Sequence, residues 1–328
     1  MQTTYNGRIF LMEYFLVYFL FAVGLLLIIK GGDYFVDAAS WIAEVSGIPK
    51  FIVGATIVSV ATTLPEMIVS SIAAMQGKID MAVGNAVGSV TANSGLIMGI
   101  SIICLPVAIK VKNYLAKSIL LILSVASLAV FSLAGKLSPY ANAVLIIIFI
   151  VFIYENIKRA KSSIADEKLE IKSKGEVVKN IVMFLLGCAG IVIGANLLVD
   201  NGTKIALLMG VPEGIIAVTM VAIGTSLPEL VTTITAILKK QSSLSVGNII
   251  GANIIDLTLI LPICSAISHQ ALPISAQTYM LDLPVCLAVI CIALIPALLR
   301  SKFSRWQGIT TMVLYISYLA VLVKYFGV

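Results

Sequence analysis

Residues 54–66 read GATIVSVATTLPE and residues 217–229 read AVTMVAIGTSLPE, so one segment is written twice in a single chain. Extending the match without a gap, from residue 31 on 194 to residue 93 on 256, gives about 19 identities in 63 positions, an internal duplication. The register pairs Gly31 with Gly194, Asp37 with Asp200, Pro49 with Pro212 and Thr62 with Thr225. It also pairs Pro65 with Pro228, Glu66 with Glu229, Gly84 with Gly247, Asn85 with Asn248 and Gly88 with Gly251. Each copy sets a glutamate beside a proline in an otherwise apolar run. A carboxylate there is costly to desolvate, and its duplication signals a use: membrane transport.

The chain around these copies is 60% hydrophobic and 12% charged, with a mean hydropathy of +1.08. That excludes a soluble globular domain. The apolar residues fall in runs of about 17–25, the length that spans a bilayer as helix. Ten spans are predicted, at 13–30, 51–76, 81–108, 115–134, 140–157, 180–199, 214–238, 244–266, 279–299 and 306–326. The polar stretch 158–179 reads as a solvated linker between two halves, 1–157 and 180–328. Five spans per half, an odd number, make the second copy enter the membrane from the opposite side. The predicted fold is therefore all-α: a polytopic membrane protein of ten transmembrane helices in two inverted five-helix repeats.

The net charge of +6 does not point to nucleic acid, because the basic residues sit in short loops and act as topology determinants. With the N-terminus outside, about 17 lysines and arginines fall on inner segments, seven of them in the linker. Only 5 fall outside: Arg8, Lys78, Lys136, Lys204 and Lys324. The expectation is a multi-pass protein of the plasma membrane with both termini outside and the linker cytoplasmic. The acidic first loop, with Asp33, Asp37 and Glu44, weighs little, since acidic residues contribute little to this bias. Five cysteines lie in apolar segments without metal-like spacing, and His269 stands alone in a loop. No nucleotide-binding motif appears, which argues against a pump with its own ATPase domain, and the long first run argues against a cleaved leader.

Thr62, Thr63, Pro65 and Glu66 cover little more than one helical turn. Pro65 has no N–H to give the carbonyl of Ala61, and helix distortion there is expected to turn nearby carbonyls, that of Ser59 included, toward a cavity. Hydroxyls, carbonyls and a carboxylate make an all-oxygen set suited to Na⁺ and Ca²⁺, with none of the imidazole or thiolate that zinc or copper prefers. The second copy repeats the set with Ala222, Thr225, Ser226, Pro228 and Glu229. GNAVGSVTAN (84–93) matches GNIIGANIID (247–256) and supplies the partner surface: Ser89 and Asn93 share one helical face, as do Ala252 and Asp256. Glu66, Glu229 and Asp256 would repel one another unless cations or protons occupied the site. Blander readings exist for each part alone. A membrane proline is most often a kink, a threonine most often bonds its own backbone, and GxxxG spacing is common in packed helices. Asn85 and Asn248 divide evenly between packing and cavity lining.

These blocks resemble the two alpha repeats of the calcium/cation antiporter superfamily, most closely those of prokaryotic sodium/calcium exchangers. The family pattern is roughly G-[AT]-T-x-x-A-x-G-T-S-x-P-E followed by G-N-x-x-G-S-x-x-x-[ND], and the similarity extends to RWQGI (305–309) in the last span. The resemblance implies Glu66 and Glu229 as central cation ligands. It adds oxygens from Thr62, Thr63, Thr225 and Ser226, carbonyls from Ser59 and Ala222, and Ser89, Asn93 and Asp256 to complete the set. It further implies Na⁺ and Ca²⁺ as transported ions, no cofactor, a monomer sufficient for transport, and the first and sixth spans as sliding elements. Ala61, Thr63 and Ser59 depart from the pattern. Ala252 departs more seriously, standing where a hydroxyl ligand is expected and putting the stoichiometry in question. Asp256 opposite Asn93 favours sodium over proton coupling.

The resulting expectation is an antiporter, not an enzyme, exchanging Na⁺ for Ca²⁺ across the bilayer by alternating access. A proton/calcium exchanger is the alternative within the superfamily. A cation channel is the rival outside it, disfavoured by inverted repeats with broken helices. A membrane enzyme lacks a nucleophile or a histidine set.

Overall fold

A computed structural model describes residues 2–106, 108–164, 173–210, 224–269 and 271–326; the side chains of 2–14 and 163–164 lie outside the description. Among the described residues, nine helices are long and apolar enough to cross a membrane. They are α1 (Gln2–Ser46), α2 (Lys50–Met75), α3 (Ile79–Cys104), α4 (Val111–Ser132), α5 (Pro139–Ile164), α6 (Lys174–Leu208), α8 (Ser242–Ser268), α9 (Thr278–Arg300) and α10 (Arg305–Phe326). The tenth expected span, 214–238, is described only from residue 224, where it contains the short apolar helix α7 (Leu227–Leu238).

Two spans are much longer than hydropathy suggests. α1 runs through the expected acidic loop to Ser46, and α6 begins at Lys174 and runs to Leu208. A hydropathy window stops at polar residues, whereas a helix needs only that they share a tolerable face. Asp33 and Asp37, one turn apart, are met there by Lys239 Nζ at 3.3 and 2.7 Å. The linker shortens accordingly, because α5 continues to Ile164; residues 165–172 lie outside the description.

Backbone conformation repeats at the spacing of the duplication. Gly47 (φ 66°) and Gly210 (φ 79°) end α1 and α6 in the left-handed region, a conformation that favours glycine. Gly77 (φ 73°) ends α2, and its counterpart after α7 is Lys240 (φ 56°), a lysine held where the first copy uses glycine. α3 and α8 each contain a π-helical turn, Asn93–Ile97 and Asp256–Ile260, starting at matched positions.

Cross-links sort the loops onto two faces, as antiparallel crossings require. On one face, Ile109 N donates to Ser301 O at 2.9 Å and Trp41 Nε1 donates to Glu176 at 2.9 Å. On the other, β1 (Lys136–Leu137) pairs antiparallel with β2 (Leu272–Pro273). α3 and α8 are the most enclosed spans, while α1 and α6 keep much of their apolar surface outward and pack on each other. Glycines make that packing close: a Cβ on Gly31 would lie 2.8 Å from Ile191 N, and one on Gly194 would lie 2.7 Å from Gly24 O. Near the centre, a Cβ on Gly251 of α8 would lie 2.6 Å from both Ala55 O and Ser59 Oγ of α2. The GNxxG surface of the second repeat thus seats on the first repeat's motif helix. The described residues leave Gly84 and Gly88 open, and the segment that the 163-residue register would set against them, 214–222, lies outside the description.

Candidate cation site

The motif helix of the first copy is not broken at its proline. Pro65 lies inside a continuous α-helical stretch, Ser59–Met75, and the distortion sits earlier, as a π turn over Gly54–Val58. This corrects the expected position of the irregularity. The carbonyl of Ala61, which Pro65 cannot satisfy, instead faces the Cys188 thiol of α6 at 3.8 Å. The second copy behaves differently: Ser226 takes a turn conformation (φ −86°, ψ 5°) and Pro228 lies in the first turn of α7. Proline is tolerated there because its missing N–H would have had no helical partner.

Both repeats deliver oxygens to one buried region. Glu66 is 1% exposed, Glu229 0% and Asp256 1%, far below what unpaired carboxylates normally tolerate. Their charges act on one another, Glu229 and Asp256 on Glu66 and Glu229 on Asp256. Neither carboxylate oxygen of Glu66 or Glu229 has a hydrogen-bond partner among the described residues; nor do Asp256 Oδ1, Asn93 Oδ1, Thr63 Oγ1 or Ser226 Oγ. Buried polar atoms are almost always paired, so a concentration of unpaired oxygens marks a place meant for a ligand that supplies positive charge. Among the described residues no three Asp, Glu, His or Cys side chains form a ready-made metal cluster. A bound cation would therefore draw on hydroxyls, amide oxygens and carbonyls as well as carboxylates.

The other expected residues sort clearly. The Thr62 hydroxyl lies beside Glu229 but directs its proton to Asn248 Oδ1 at 3.1 Å, across the repeats, and approaches Ser59 O at 3.4 Å. The Ser59 hydroxyl donates back to Thr56 O at 3.0 Å, and its carbonyl opens the helical stretch Ser59–Met75. Ser89 and Thr225 face each other at 3.4 Å. Ala222 lies outside the described residues. Asn93 donates its amide to Asn253 at 3.1 Å, and Asn253 donates to Ser94 at 2.8 Å, so the Asn93 carbonyl oxygen is held facing inward. The evenly divided asparagines differ in partner: Asn85 braces α3 against α2 through Ser70 Oγ (2.9 Å) and Glu66 O (3.4 Å), whereas Asn248 accepts from Thr62 of the other repeat at 3.1 Å. Thr232, buried one turn beyond Glu229 with no hydrogen-bond partner for its hydroxyl among the described residues, was not singled out by the motif. Its three-residue spacing from the glutamate is the signal that would have found it.

A cavity of about 180 Å³ reaches this region from the side of α6. Asp200 and Asn196 line it, and it is bounded inward by Pro65, Thr225 and Pro228.

Comparison with known proteins places this geometry among ion exchangers. The family described as "Sodium/calcium exchanger protein" matches residues 16–158 and 179–324, nearly all of both halves. An uncharacterised membrane protein of Methanocaldococcus jannaschii is 33% identical over 90% of this chain and 94% of its own length. The sodium/calcium exchanger MaX1 of Methanosarcina acetivorans is 30% identical over 92% of this chain and 96% of its own. A solved structure of the sodium-calcium exchanger NCX_Mj, soaked with Na⁺ and Sr²⁺, superposes with a TM-score of 0.82 at 31% identity, covering 94% of this chain and 99% of that one.

Proposed function

This chain belongs to the sodium/calcium exchanger protein family, and on that premise we propose that it exchanges Na⁺ for Ca²⁺ across a membrane by alternating access. The observation that carries the reading is the set of buried, unpartnered oxygens contributed by both repeats: Thr63, Glu66 and Asn93 from the first, Ser226, Glu229 and Asp256 from the second. In this reading Glu66 and Glu229 are the central ligands. Thr62, Thr63, Thr225, Ser226, Ser89 and Asn93 add neutral oxygens, Ser59 and Ala222 add carbonyls, and Asp256 adds the third charge. Three carboxylates cannot stay together ionised without cations. Occupancy by one Ca²⁺ or by several Na⁺ answers the same charge demand, which is the basis of exchange.

The two halves, 1–157 and 180–328, act as inverted repeats, with α1 and α6 moving as a pair against the enclosed α3 and α8. Their mutual packing and outward apolar faces support that assignment. The lysine-rich face, with Lys50, Lys110, Lys174, Lys239 and Lys240, is cytoplasmic on the positive-inside rule, which sets both termini outside a plasma membrane. The cavity lined by Asp200 and Thr225 then serves as the route from the outer side. Proton coupling is the competing reading, and Asp256 opposite Asn93 weighs against it.

The test is uptake of radiolabelled Ca²⁺ into proteoliposomes loaded with Na⁺. Uptake driven by the outward Na⁺ gradient, with none driven by a pH gradient alone, is the expected result. The reverse pattern would replace this reading with a proton/calcium exchanger, and flux independent of any counter-ion gradient with a channel.

A further inference from the structure

Away from the carboxylates, a cavity of about 470 Å³ opens on the lysine-rich face, between the starts of α2, α4 and α8. Its lining includes Lys50, Lys110 and Lys240, the hydroxyl residues Tyr114, Ser242 and Ser243, and no carboxylate. Three long helices begin here, and none of them carries a side-chain cap. Their leading N–H groups and the positive ends of their dipoles are therefore directed at one space. Tyr114 is only 3% exposed, and its hydroxyl lies against the Ser243 side chain at the cavity wall. The tyrosine ring stacks on Phe51 at 3.8 Å between centroids, and that stack forms the floor. Beneath it, one turn along α4, lies Lys117, wholly buried, with its ammonium 5.2 Å from the Phe51 ring and no hydrogen-bond partner among the described residues. Among the described residues, Lys50 is the lining lysine that has a carboxylate partner, Glu44 at 3.0 Å. Lys240 stands in the left-handed region, where the duplicated position is Gly77. A lysine there gives up backbone freedom that glycine would keep, a cost that a role for its ammonium at this rim accounts for.

A space ringed by lysines, helix N-termini and hydroxyl donors repels cations, so it is no part of the ion route. We propose that it binds a phosphate-bearing anion, held by Lys110, Lys240 and the Tyr114 and Ser242 hydroxyls against the open starts of α2, α4 and α8. Free phosphate and the headgroup of an anionic phospholipid offer the same chemistry. Either would tie the starts of α2 and α8, the helices that carry Glu66 and Asp256, to one ligand.

The full chain, purified in maltoside detergent, tests this in two arms. Inorganic phosphate is titrated with ³¹P line broadening as the readout, and phosphatidic acid is compared with phosphatidylcholine by native mass spectrometry. Saturable binding of one anion per chain is expected. The Lys110→Gln/Lys240→Gln double variant should weaken it by about tenfold or more, while Lys78→Gln/Lys136→Gln on the opposite face leaves it unchanged. Phosphate binding alone identifies a soluble anion, and phosphatidic acid binding alone a lipid headgroup; each supports the site. Should the double variant fail to elute as a monodisperse species, Tyr114→Phe, which keeps the ring stack, must still weaken binding by about threefold. Absence of saturable binding in both arms overturns the proposal. So does equal affinity in the folded double variant, or in Tyr114→Phe, or an equal loss in the opposite-face variant.

Discussion

Asn85 and Asn248 occupy the same place in the two copies, yet they should respond to mutation in opposite ways. Asn85 donates to Ser70 Oγ at 2.9 Å and Glu66 O at 3.4 Å, both within the first repeat. Its replacement by alanine removes two bonds worth about 0.5–1.5 kcal/mol each, so Asn85→Ala should lower stability by about 1–3 kcal/mol. Calcium affinity should stay within about threefold, since no oxygen of the site depends on that amide. Asn248→Ala removes one bond, at most about 1.5 kcal/mol of stability. The Thr62 hydroxyl, freed from its 3.1 Å acceptor, then turns to its other neighbours, the Glu229 carboxylate and Ser59 O at 3.4 Å, and so engages oxygens assigned to the ion. Loss of a group that orients metal ligands typically costs 10–100-fold, and the half-saturating Ca²⁺ concentration should rise by about that factor. The assay pairs Na⁺-driven Ca²⁺ uptake in proteoliposomes with melting curves in detergent. An Asn248→Ala protein with wild-type half-saturation, or an Asn85→Ala protein whose affinity falls as far, would refute the assignment of these residues.

Glu66→Gln and Glu229→Gln should each abolish exchange while the protein still elutes as a folded species; near-wild-type transport by either would sink the site. Ala252→Ser restores a hydroxyl four residues before Asp256 and should steepen the Na⁺ dependence of exchange, whereas an unchanged Na⁺ curve would show that Ala252 does not limit stoichiometry. Gly251→Ala drives a methyl to 2.6 Å from Ala55 O and Ser59 Oγ, so it should destabilise by about 1–3 kcal/mol through overpacking, read as a lowered melting temperature. A melting temperature at or above wild type would mean that α2 and α8 part easily there.

The duplicated T-[ST]-L-P-E block was legible because its chemistry is local: hydroxyls, proline and carboxylate share one turn, whatever packs around them. The span centres were legible for the same reason, as runs of apolar residues of bilayer length. What stayed hidden depends on partners from elsewhere in the chain. Asn85 and Asn248 have matching motif contexts, and their different partners distinguish them: Ser70 and Glu66 O for the first, Thr62, 186 residues away, for the second. The continuation of α1 through Asp33 and Asp37 likewise rests on Lys239, some 200 residues on. The π turns at Asn93 and Asp256 carry no compositional mark, because π and α turns draw on the same residues.

The two copies also differ in shape where they barely differ in sequence, and the difference has a physical source. Through residues 61–66 the first reads ATTLPE and stays helical, while the second reads GTSLPE through 224–229 and turns at Ser226. A proline inside a helix costs roughly 3 kcal/mol. Alanine at position 61 favours helix over glycine by about 1 kcal/mol and offsets part of that cost. Gly224 provides no such bias, and the chain there takes the cheaper course of breaking before Pro228. That offset, about 1 kcal/mol against about 3, covers only part of the cost, so the packing of the first motif helix among its neighbours has to supply the rest. The two glutamates that the proposed exchange relies on thus sit on backbones of different shape, Glu66 inside a continuous helix and Glu229 in the first turn after a break.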